Sequence, residues 1–489
     1  MQRKQAFAGV AAAAFAVSLF GAAGLPGPAS AQDSGAVEIK QYEDGGVYEG
    51  TFKDGKQHGQ GSYRLPNGYE YTGEWVNGEI KGQGVARFPN GSIYEGSFAH
   101  GKPEGIGKIT FADGGTYEGD WVDGKITGSG VAVYANGVKY EGGFLNALHH
   151  GIGRMESANG YVYEGAWVNG VKEGRGKITY PDGSVYEGTL KAGKRDGEGT
   201  LTMPDGLVYV GQWKDGQING IGKLTQANGD VYEGQLVNGQ RQGKGKVTYA
   251  NGEVYEGEFV ADQRQGQGTF HGVDGYLYVG AWNAGKIEGK GKVTYPDGSI
   301  YEGDFRDNLA DGVGKILYPD GNSYEGEWKA GIIEGKGVAR YTNGLVYEGE
   351  FKNARNHGQG KMTYPDGYVY EGEWKDGQRN GIGKATYADG TVYEGGFVNG
   401  QREGKGTITM PDGFTYVGDW KGGQIEGQGK ATYANGDVYE GEFKAGKRQG
   451  NGVIHYASGE TAEGKWENGA LTDGTLVPAD AAAPAEGSE

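Results

Sequence analysis

The stretch YPDGSVYEGTL, residues 180–190, decides the fold of this chain because near-copies of it recur at a fixed distance along the sequence. A tyrosine followed two residues later by glycine stands at Tyr48 and then every 23 residues as far as Tyr439, in eighteen copies without an insertion or a deletion. A degenerate nineteenth copy begins at Ala462. Such a period is typical of a repeat array, in which each unit buries its apolar side chains only against its neighbours.

Each repeat contains two runs with the two-residue alternation of a strand. Counted from the repeat tyrosine as position 0, glycine stands at +2 and Phe, Trp or Leu at +4. The second run has glycine at +11 and +13, then usually an apolar residue at +15 and an aromatic residue at +17. Asn-Gly or Asp-Gly pairs at +6/+7 and at +19/+20 indicate tight turns. The sequence therefore predicts an all-β fold, a long sheet of tandem 23-residue β-hairpins.

The alternation also predicts a register for each hairpin. Pairing positions whose offsets sum to seventeen places the repeat tyrosine opposite the aromatic residue at +17, and Trp or Phe at +4 opposite glycine at +13. On the other face, Glu at +1 then meets Thr at +16, and the acidic residue at +3 meets Lys or Arg at +14. Cross-strand pairs of this kind contribute roughly 0.2–1 kcal/mol each.

The array contains an internal duplication. All nine Trp stand at +4, and a shift of 207 residues, or nine repeats, maps Trp75 onto Trp282 and Trp213 onto Trp420. We therefore predict a repeat array at residues 42–470, of about 19 units in two nine-unit blocks. Similarity between the two halves is therefore evidence of their common origin first, and of a shared function only second.

The two ends of the chain differ from the array. Residues 1–31 place Arg3 and Lys4 before an apolar run that ends in Ala29-Ser30-Ala31, the pattern of a secretory signal peptide with its cleavage site. We predict an N-terminal linker at residues 32–41 and a disordered tail at residues 471–489, which are small, acidic and proline-bearing. The chain is therefore expected to be exported, to the periplasm or to the cell surface.

Composition limits the partners. Removal of Arg3 and Lys4 with the signal peptide leaves 45 Lys and Arg against 64 Asp and Glu, a net charge of −19, which disfavours nucleic acid and anionic lipid. The chain has no cysteine, so thiol chemistry and thiolate metal sites are excluded. Its 102 glycines lack the every-third-residue spacing of collagen.

We predict no catalytic, cofactor-binding or metal-binding residue, and no enzyme. The Gly-x-Gly pairs recur inside strands, whereas a phosphate cradle needs a loop before a helix. Glu at +1 recurs in equivalent copies, which indicates a solvated face because a catalytic acid needs a distinct environment. His149-His150 lacks partners at metal-ligand spacing, and surface turns are the interpretation for these and the other histidines.

Apolar departures from the repeat pattern mark a candidate interface. Every third repeat carries an apolar residue at +21, where most others carry a polar residue or glycine, and three of these apolar residues are followed by Val in place of Glu at +1 of the next repeat. Tyr161 and Tyr368 break this spacing, and local packing over the neighbouring turn is the alternative interpretation. The candidate interface residues are Tyr69, Val138, Leu207, Val210, Tyr276, Val279, Leu345, Phe414 and Val417.

The repeats YEGEWKDGQRNGIGKATYADGTV at residues 370–392 and YEGEWKAGIIEGKGVARYTNGLV at residues 324–346 resemble the membrane occupation and recognition nexus, or MORN, repeat. The resemblance covers residues 42–470, and the chain is expected to be an exported bacterial member of this family. It implies an elongated, twisted, single-layer antiparallel sheet that serves as an interaction surface and is often dimeric. Thr72, Leu190, Leu236 and the altered turns at Ala147, Asn308 and Ala354 depart from the pattern and put local geometry in doubt.

The favoured function is that of a non-catalytic scaffold that binds an envelope protein or itself. A glycan-binding array, in which exposed rings stack on cell-wall or surface polysaccharide, is the alternative, and the predicted burial of the rings counts against it. Phospholipid binding is less favoured because of the net charge of −19. No cofactor is expected.

Overall fold

The computed structural model describes residues 35–479, so the predicted signal peptide and residues 480–489 lie outside the described residues. The chain divides into two compact units, Met1–Ala250 and Asn251–Glu489. Their described parts contain strands and turns and no α-helix, as the repeat pattern predicts.

The first unit contains nineteen strands, and their bounds repeat with the period of the sequence. They are β1 Glu38–Gln41, β2 Val47–Lys53, β3 Lys56–Arg64, β4 Glu70–Val76, β5 Glu79–Arg87, β6 Ile93–Ala99, β7 Lys102–Thr110, β8 Thr116–Val122, β9 Lys125–Val133, β10 Lys139–Leu145, β11 Leu148–Glu156, β12 Val162–Val168, β13 Val171–Thr179, β14 Val185–Lys191, β15 Lys194–Thr202, β16 Val208–Lys214, β17 Gln217–Thr225, β18 Val231–Val237 and β19 Gln240–Thr248.

The second unit contains twenty strands in the same pattern. They are β20 Val254–Val260, β21 Gln263–His271, β22 Leu277–Asn283, β23 Lys286–Thr294, β24 Ile300–Arg306, β25 Leu309–Leu317, β26 Ser323–Lys329, β27 Ile332–Arg340, β28 Val346–Lys352, β29 Arg355–Thr363, β30 Val369–Lys375, β31 Gln378–Thr386, β32 Val392–Val398, β33 Gln401–Thr409, β34 Thr415–Lys421, β35 Gln424–Thr432, β36 Val438–Lys444, β37 Lys447–His455, β38 Thr461–Glu467 and β39 Ala470–Val477.

Within each unit, every strand pairs antiparallel with the strand before it and the strand after it in the sequence. Each unit is therefore a series of hairpins in which neighbours in space are also neighbours in the chain. The tandem-hairpin prediction is confirmed.

The predicted register is wrong. In the hairpin of β2 and β3, Tyr48 lies opposite Tyr63 and Gly50 opposite Gly61, so the offsets sum to fifteen rather than seventeen. Trp75 lies opposite Gly59, the glycine at +11 of the preceding repeat, rather than opposite the glycine at +13. On the other face, Glu at +1 lies opposite the residue at +14, as in the pair of Glu233 and Lys246.

A bulge beside the turn explains the difference. Asp54 and Gly55 form a two-residue turn with φ values of 50° and 73°, which sets Lys53 opposite Lys56. The register then shifts between Phe52 and Gly50. Gly59 takes a φ of 79° in the longer strand of the bulge, a conformation that favours glycine.

The altered turns keep the standard geometry. Ala147, Asn308 and Ala354 take the place of the turn glycine at +7, and their φ values are 62°, 70° and 59°. The departures from the pattern therefore leave the hairpins intact but hold two alanines in the left-handed region, where a side chain is disfavoured.

The turn between repeats is closed by the pair at +19/+20. The side chain of Asn67 accepts a hydrogen bond from the Tyr69 amide at 3.0 Å, and Gly68 has a φ of 92°. The Gly68 amide donates to Leu65 O at 3.0 Å. These are the roles that Asn or Asp and Gly play in a tight turn.

The sheets extend past both predicted ends of the array. Residues 38–41, predicted as part of a linker, form β1 and pair with β2, so that Lys40 lies opposite Tyr48. Residues 471–477, predicted as part of a disordered tail, lie in β39 and pair with β38, where Gly474 is opposite Gly464. Both strands lack the Tyr-x-Gly signature, but each satisfies the backbone groups of the terminal strand beside it.

Candidate functional site

The strands of each unit present an aromatic face and a charged face, because successive side chains point to opposite sides. On the aromatic face the repeat tyrosines are buried, and Tyr94 and Tyr301 have no exposed surface. A β-carbon added at Gly107, which is at +13, would collide with the ring of Tyr94. The glycines at +2 and +13 therefore provide the space in which the tyrosine ring lies.

The polar atoms of these rings are satisfied within the sheet. The Tyr94 hydroxyl donates to Ser97 O at 2.9 Å, and the Trp121 indole nitrogen donates to Gly107 O at 3.1 Å. Burial raises the pKa of Tyr186 to about 12. The phenols therefore remain protonated donors whose role is structural.

Edge-to-face contacts connect these rings into a ladder. The ring of Tyr94 lies 5.0 Å from that of Phe98 in its own repeat and 5.0 Å from that of Trp121 in the next. The interplanar angles are 88° and 80°. Pairs of this geometry add to the energy of area burial.

The side chains at +9, which were not predicted to be part of a site, cover the aromatic ladder. The Arg195 guanidinium lies 4.1 Å from the Trp213 ring and donates to Gly216 O at 2.8 Å, so it joins one hairpin to the next. Burial lowers the pKa of Lys172 to about 8, and its amine lies 4.4 Å from the Tyr161 ring. The recurrence of Arg or Lys at +9 was the available signal.

His149 and His150 do not form a joint site. The His149 ring stacks on Tyr140 with centroids 3.6 Å apart, and it hydrogen bonds to the Tyr134 hydroxyl at 2.6 Å. His150, next along the strand, is on the charged face, where its Nδ1 accepts a hydrogen bond from the Asn169 amide at 3.4 Å. His149 is therefore part of the aromatic face rather than of a surface turn.

The charged face carries a ladder of ion pairs between repeats. Lys at +14 pairs with Glu at +1 of the next repeat, as in Lys223 with Glu233 at 3.1 Å and Lys430 with Glu440 at 2.6 Å. A second row joins +12 to +3, as in Lys405 with Asp419 at 2.6 Å. Apart from Asp419, which is about one-third exposed, these groups are more than half-exposed, so each pair contributes little stability, and the ladder keeps this face polar.

Three of the predicted interface residues interrupt this ladder. Val210, Val279 and Val417 are 48%, 47% and 53% exposed and lie on the charged face. Opposite each of them the Lys of the preceding repeat is replaced by threonine: Thr200, Thr269 and Thr407. An ion-paired rung thus becomes a Thr–Val rung in three places.

A shallow cavity of about 720 Å³ surrounds one of these rungs. Its floor includes glycines from four strands. Its walls include the side chains of Val417 and Thr407 and those of the neighbouring ion-paired residues. The lining residues are Glu394, Lys405, Gly406, Thr407, Val417, Gly418, Gln428, Gly429, Lys430, Glu440 and Gly441. Val417 is 53% exposed, so an apolar side chain from a partner can reach it from the charged face.

The other six predicted interface residues, at +21, are half-buried beside the turns. The Tyr69 ring lies 5.9 Å from Phe88, Tyr276 lies 6.2 Å from Tyr295, and Phe414 lies 5.6 Å from Tyr433. Each of these rings thus packs on the residue at +17 of the repeat that follows. Because Tyr276 and Val279 are three residues apart, they point to opposite faces, so the prediction combined two separate surfaces.

Two further features are absent from residues 35–479. No three His, Asp or Glu side chains in this part come together in a way that could hold a metal ion. No helix in it is long and apolar enough to cross a bilayer.

The fold and its two faces define the class, a tandem β-hairpin repeat protein. The MORN repeat profile matches eighteen consecutive segments, from residues 48–68 to residues 439–461. The chain belongs to the MORN repeat family. A search of curated proteins finds no match to it.

Solved structures show only distant similarity. The SAS-4 (dCPAP) TCP domain of Drosophila melanogaster, in complex with a proline-rich motif of Ana2, is 15% identical and covers 41% of this chain and 90% of its own, with a TM-score of 0.20. The CPAP G-box domain is 17% identical over 46% and 100%, with a TM-score of 0.16, and a streptogramin B lyase is 16% identical over 61% and 92%, with a TM-score of 0.11. Scores this low carry no argument about this chain.

Proposed function

We propose that this chain is a non-catalytic scaffold, exported to the cell envelope, whose charged face binds a partner protein or a second copy of the chain. The observation that carries the proposal is the set of exposed Thr–Val rungs at Val210, Val279 and Val417, on a face where most other rungs of this row place Lys or Arg opposite Glu. Repeated weak sites on one surface give avidity without a deep pocket.

The distribution of aromatic rings favours a protein partner over a glycan. Ladder rings such as Tyr301 and Trp420 are 0% and 4% exposed, so they would have to leave their own packing to stack on a sugar. The net charge of −19 that is expected after cleavage opposes an anionic lipid surface. Exposed apolar side chains surrounded by ion pairs are typical of a surface that binds another protein.

The test immobilises the purified protein and exposes it to an envelope extract, intact and after exhaustive protease treatment. The proposal expects capture from the intact extract and its loss after protease. Capture that survives protease identifies a glycan or a lipid and overturns the proposal.

A triple variant and a control variant test whether capture depends on the Thr–Val rungs. Val210→Glu, Val279→Glu and Val417→Glu together restore the residue that most repeats carry at +1, and capture should fall at least tenfold. The control is Thr72→Glu, which adds one of these charges at the same position of a repeat without removing an apolar side chain. Equal capture by both variants would show that the rungs are not the binding surface.

The export part of the proposal rests on residues 1–31, with Arg3 and Lys4 before the apolar run and small residues at its end. Intact-mass measurement of the protein recovered from its native host is the test. A mature chain that begins at Gln32 supports export through a signal peptide. A chain that retains residues 1–31 would contradict it.

A further inference from the structure

The basic side chains at +9 on the aromatic face differ in whether an acidic residue stands near them. Seven full repeats carry Arg or Lys at +9, and three of these repeats have Asp or Glu two positions before the repeat tyrosine: those of Arg241, Arg264 and Arg448. The other four repeats have no acidic residue there and form two adjacent pairs, which the duplication makes equivalent. The pair in the second unit is Arg379 and Arg402.

Arg379 and Arg402 have no carboxylate within ion-pair distance among residues 35–479. The Arg379 guanidinium donates to the Tyr368 hydroxyl and to Gly400 O, the latter at 2.8 Å. The Arg402 guanidinium lies 4.2 Å from the Trp420 ring. A guanidinium has five N–H donors, so both side chains, which are half-buried, retain donors and a positive charge for a ligand.

Three tyrosine rings lie at the turn edge of the same face, next to Arg379. The ring of Tyr368 is 5.1 Å from that of Tyr364 and 5.0 Å from that of Tyr387, and all three are half-buried, so part of each ring is accessible. The hydroxyls of Tyr364 and Tyr387 form no hydrogen bond within residues 35–479. We call Tyr364, Tyr368, Tyr387, Arg379 and Arg402 the tyrosine–arginine surface.

The spacing of the two arginines matches one turn of a polyproline II helix. Arg379 is in β31 and Arg402 in β33, on either side of β32, so two strand spacings separate them, or about 9.6 Å. A polyproline II helix rises about 3.1 Å per residue with three residues per turn, so every third residue returns to the same side after about 9.3 Å. Such a helix laid across the strands meets one repeat with each turn.

The hydrogen-bonding groups of the surface match the same ligand. The two guanidiniums and the hydroxyls of Tyr364 and Tyr387 are all donors. A polyproline II backbone makes no internal hydrogen bonds, and proline has a carbonyl acceptor but no N–H, so its carbonyls need donors from outside. Aromatic surfaces bind proline rings, and guanidiniums bind carboxylates in charge-assisted pairs.

We propose that the tyrosine–arginine surface binds a proline-rich, acidic segment of another protein, in the polyproline II conformation and with a carboxylate at every third residue. Successive carboxylates pair with Arg379 and Arg402, and the prolines between them pack on the tyrosine rings. The positive charge that lacks an internal carboxylate makes the partner acidic. This inference goes beyond the proposed scaffold function, because it assigns a ligand to the face opposite the Thr–Val rungs.

The equivalent pair in the first unit forms a reduced version of this surface. Lys172 and Arg195 take the places of the two arginines, and Tyr161 and Tyr180 those of two tyrosines, whereas Ser157 takes the place of the third. A lysine does not form the bidentate pair that an arginine forms with a carboxylate. The first unit should therefore bind the same segment more weakly than the second unit does.

The first test uses a labelled peptide of four Glu-Pro-Pro units and the purified protein, with fluorescence anisotropy as the measurement. Binding should be saturable and at least tenfold tighter than that of two matched peptides. Four Lys-Pro-Pro units reverse the charge, and four Glu-Gly-Gly units keep the charge but lose the polyproline II conformation. Equal binding of either matched peptide, or no binding of the Glu-Pro-Pro peptide, overturns the proposal.

A double variant tests whether this binding occurs at the two arginines. Arg379→Gln with Arg402→Gln should weaken binding of the Glu-Pro-Pro peptide at least tenfold. The control, Lys384→Gln with Lys405→Gln, removes two positive charges from the same two strands on the charged face, where these lysines pair with Glu394 and Asp419. It should bind like the unchanged protein. Equal weakening by both double variants would show a general effect of charge and overturn the site.

A smaller change keeps the test valid where loss of the arginines disturbs the hairpins. Tyr387→Phe removes only a hydroxyl that forms no hydrogen bond within residues 35–479, so the hairpins should keep their stability. Binding of the Glu-Pro-Pro peptide should weaken about threefold, because one donor to a peptide carbonyl is lost. Unchanged binding by this variant would place the peptide elsewhere and overturn the site.

Two further comparisons separate this inference from the alternatives. The variant Val210→Glu, Val279→Glu and Val417→Glu, changed only on the charged face, should bind the Glu-Pro-Pro peptide like the unchanged protein. Capture from the extract that fails while peptide binding persists therefore removes only the scaffold proposal, and the reverse result removes only this inference. Polygalacturonate that displaces the peptide and binds at least tenfold more tightly would identify an acidic glycan as the ligand and overturn the peptide.

Discussion

The two units share a period and a register but differ in the aromatic ladder. In the second unit the ladder runs from Phe259 to Trp466, with rings in contact at centroid distances between 4.9 Å and 5.6 Å. In the first unit, Leu190 and Leu236 take the place of rings at +4. Leu190 nevertheless lies opposite Gly174, as a ring at +4 does elsewhere.

The difference separates what sets the fold from what stabilises it. A hairpin keeps its register without a ring at +4, whereas the tyrosine at 0 and the glycines at +2 and +13 recur in all eighteen full repeats. The ring at +4 therefore adds packing energy to a geometry that the glycines and turns determine. In an array of this kind, such energy acts on a hairpin and its neighbours.

The largest effect is expected from breaking the ladder in the second unit. Trp374 is 6% exposed, its ring lies 5.3 Å from Tyr347 and 5.2 Å from Tyr370, and its indole donates to Gly360 O at 3.0 Å. Trp374→Ala should cost about 3–5 kcal/mol of local stability because it leaves a cavity. Hydrogen exchange should show the loss in β29–β31 and unchanged protection in β21–β23. Uniform loss over the unit would contradict the local account.

An acid-dependent loss of stability from a buried histidine is expected in the first unit. Burial, and then the charge of Lys172, lower the pKa of His149 to about 4 from 6.5 in the unfolded chain. The folded state therefore binds this proton more weakly, so its stabilising contribution is complete above pH 6.5 and is lost as the pH falls to 4. The loss reaches roughly 3 kcal/mol.

The counterpart residue supplies the control for His149. Asn356 occupies the same position in the second unit and does not titrate, so His149→Asn should remove the acid sensitivity of β10–β12. Hydrogen exchange at pH 7 and pH 4.5, corrected for intrinsic rates, measures it. Equal loss of protection in the variant and the unchanged protein would rule out His149 as the cause.

A smaller and equal effect is expected at the altered turns of both units. Ala147 and Ala354 occupy turn positions with φ values of 62° and 59°. Replacement of each by glycine should stabilise its hairpin by about 1 kcal/mol, because relief of the left-handed strain exceeds the entropy that glycine gains on unfolding. Ala158→Gly, at an ordinary backbone conformation, should not stabilise its hairpin. Denaturant titration of the three variants checks this, and a loss of stability at Ala147 would contradict it.

The smallest effect is expected from exchanging the residues that distinguish the ladders. Phe397, the counterpart of Leu190, lies 5.0 Å from Tyr370 and 5.1 Å from Tyr393. Phe397→Leu should cost about 1 kcal/mol through these two ring contacts. Leu190→Phe should gain less, because Leu190 is already 1% exposed and the site must enlarge. Hydrogen exchange of β14 and β32 tests the pair, and an equal gain and loss would show that the two sites are interchangeable.

Periodicity predicted the strands, and turn chemistry predicted where they end. The predicted register was wrong because the true register depends on the bulge at Gly59. A glycine within a strand indicates a bulge only when the neighbouring turn is known to be two residues long. The outermost strands β1 and β39 were missed because pairing with the adjacent strand, rather than a tyrosine, makes them strands.

Prediction of the candidate site was partial for a related reason. Most repeats carry a charged residue at +1, so the departure from the pattern at Val210, Val279 and Val417 was visible in the sequence. Arg195 stands at +9, where Arg or Lys recurs in only seven of the eighteen full repeats, so the repeat pattern did not define an expected residue there.

Pairing of each strand with its neighbours in the sequence, within either unit, has a consequence for how the chain is made. No pairing within a unit requires a distant segment, so a hairpin has its partners as soon as the next repeat of 23 residues is synthesised. Chains with such local contacts fold fast, because little loop entropy is lost before contacts form. The order of synthesis therefore becomes the order of folding, and each finished hairpin serves as the template for the one that follows.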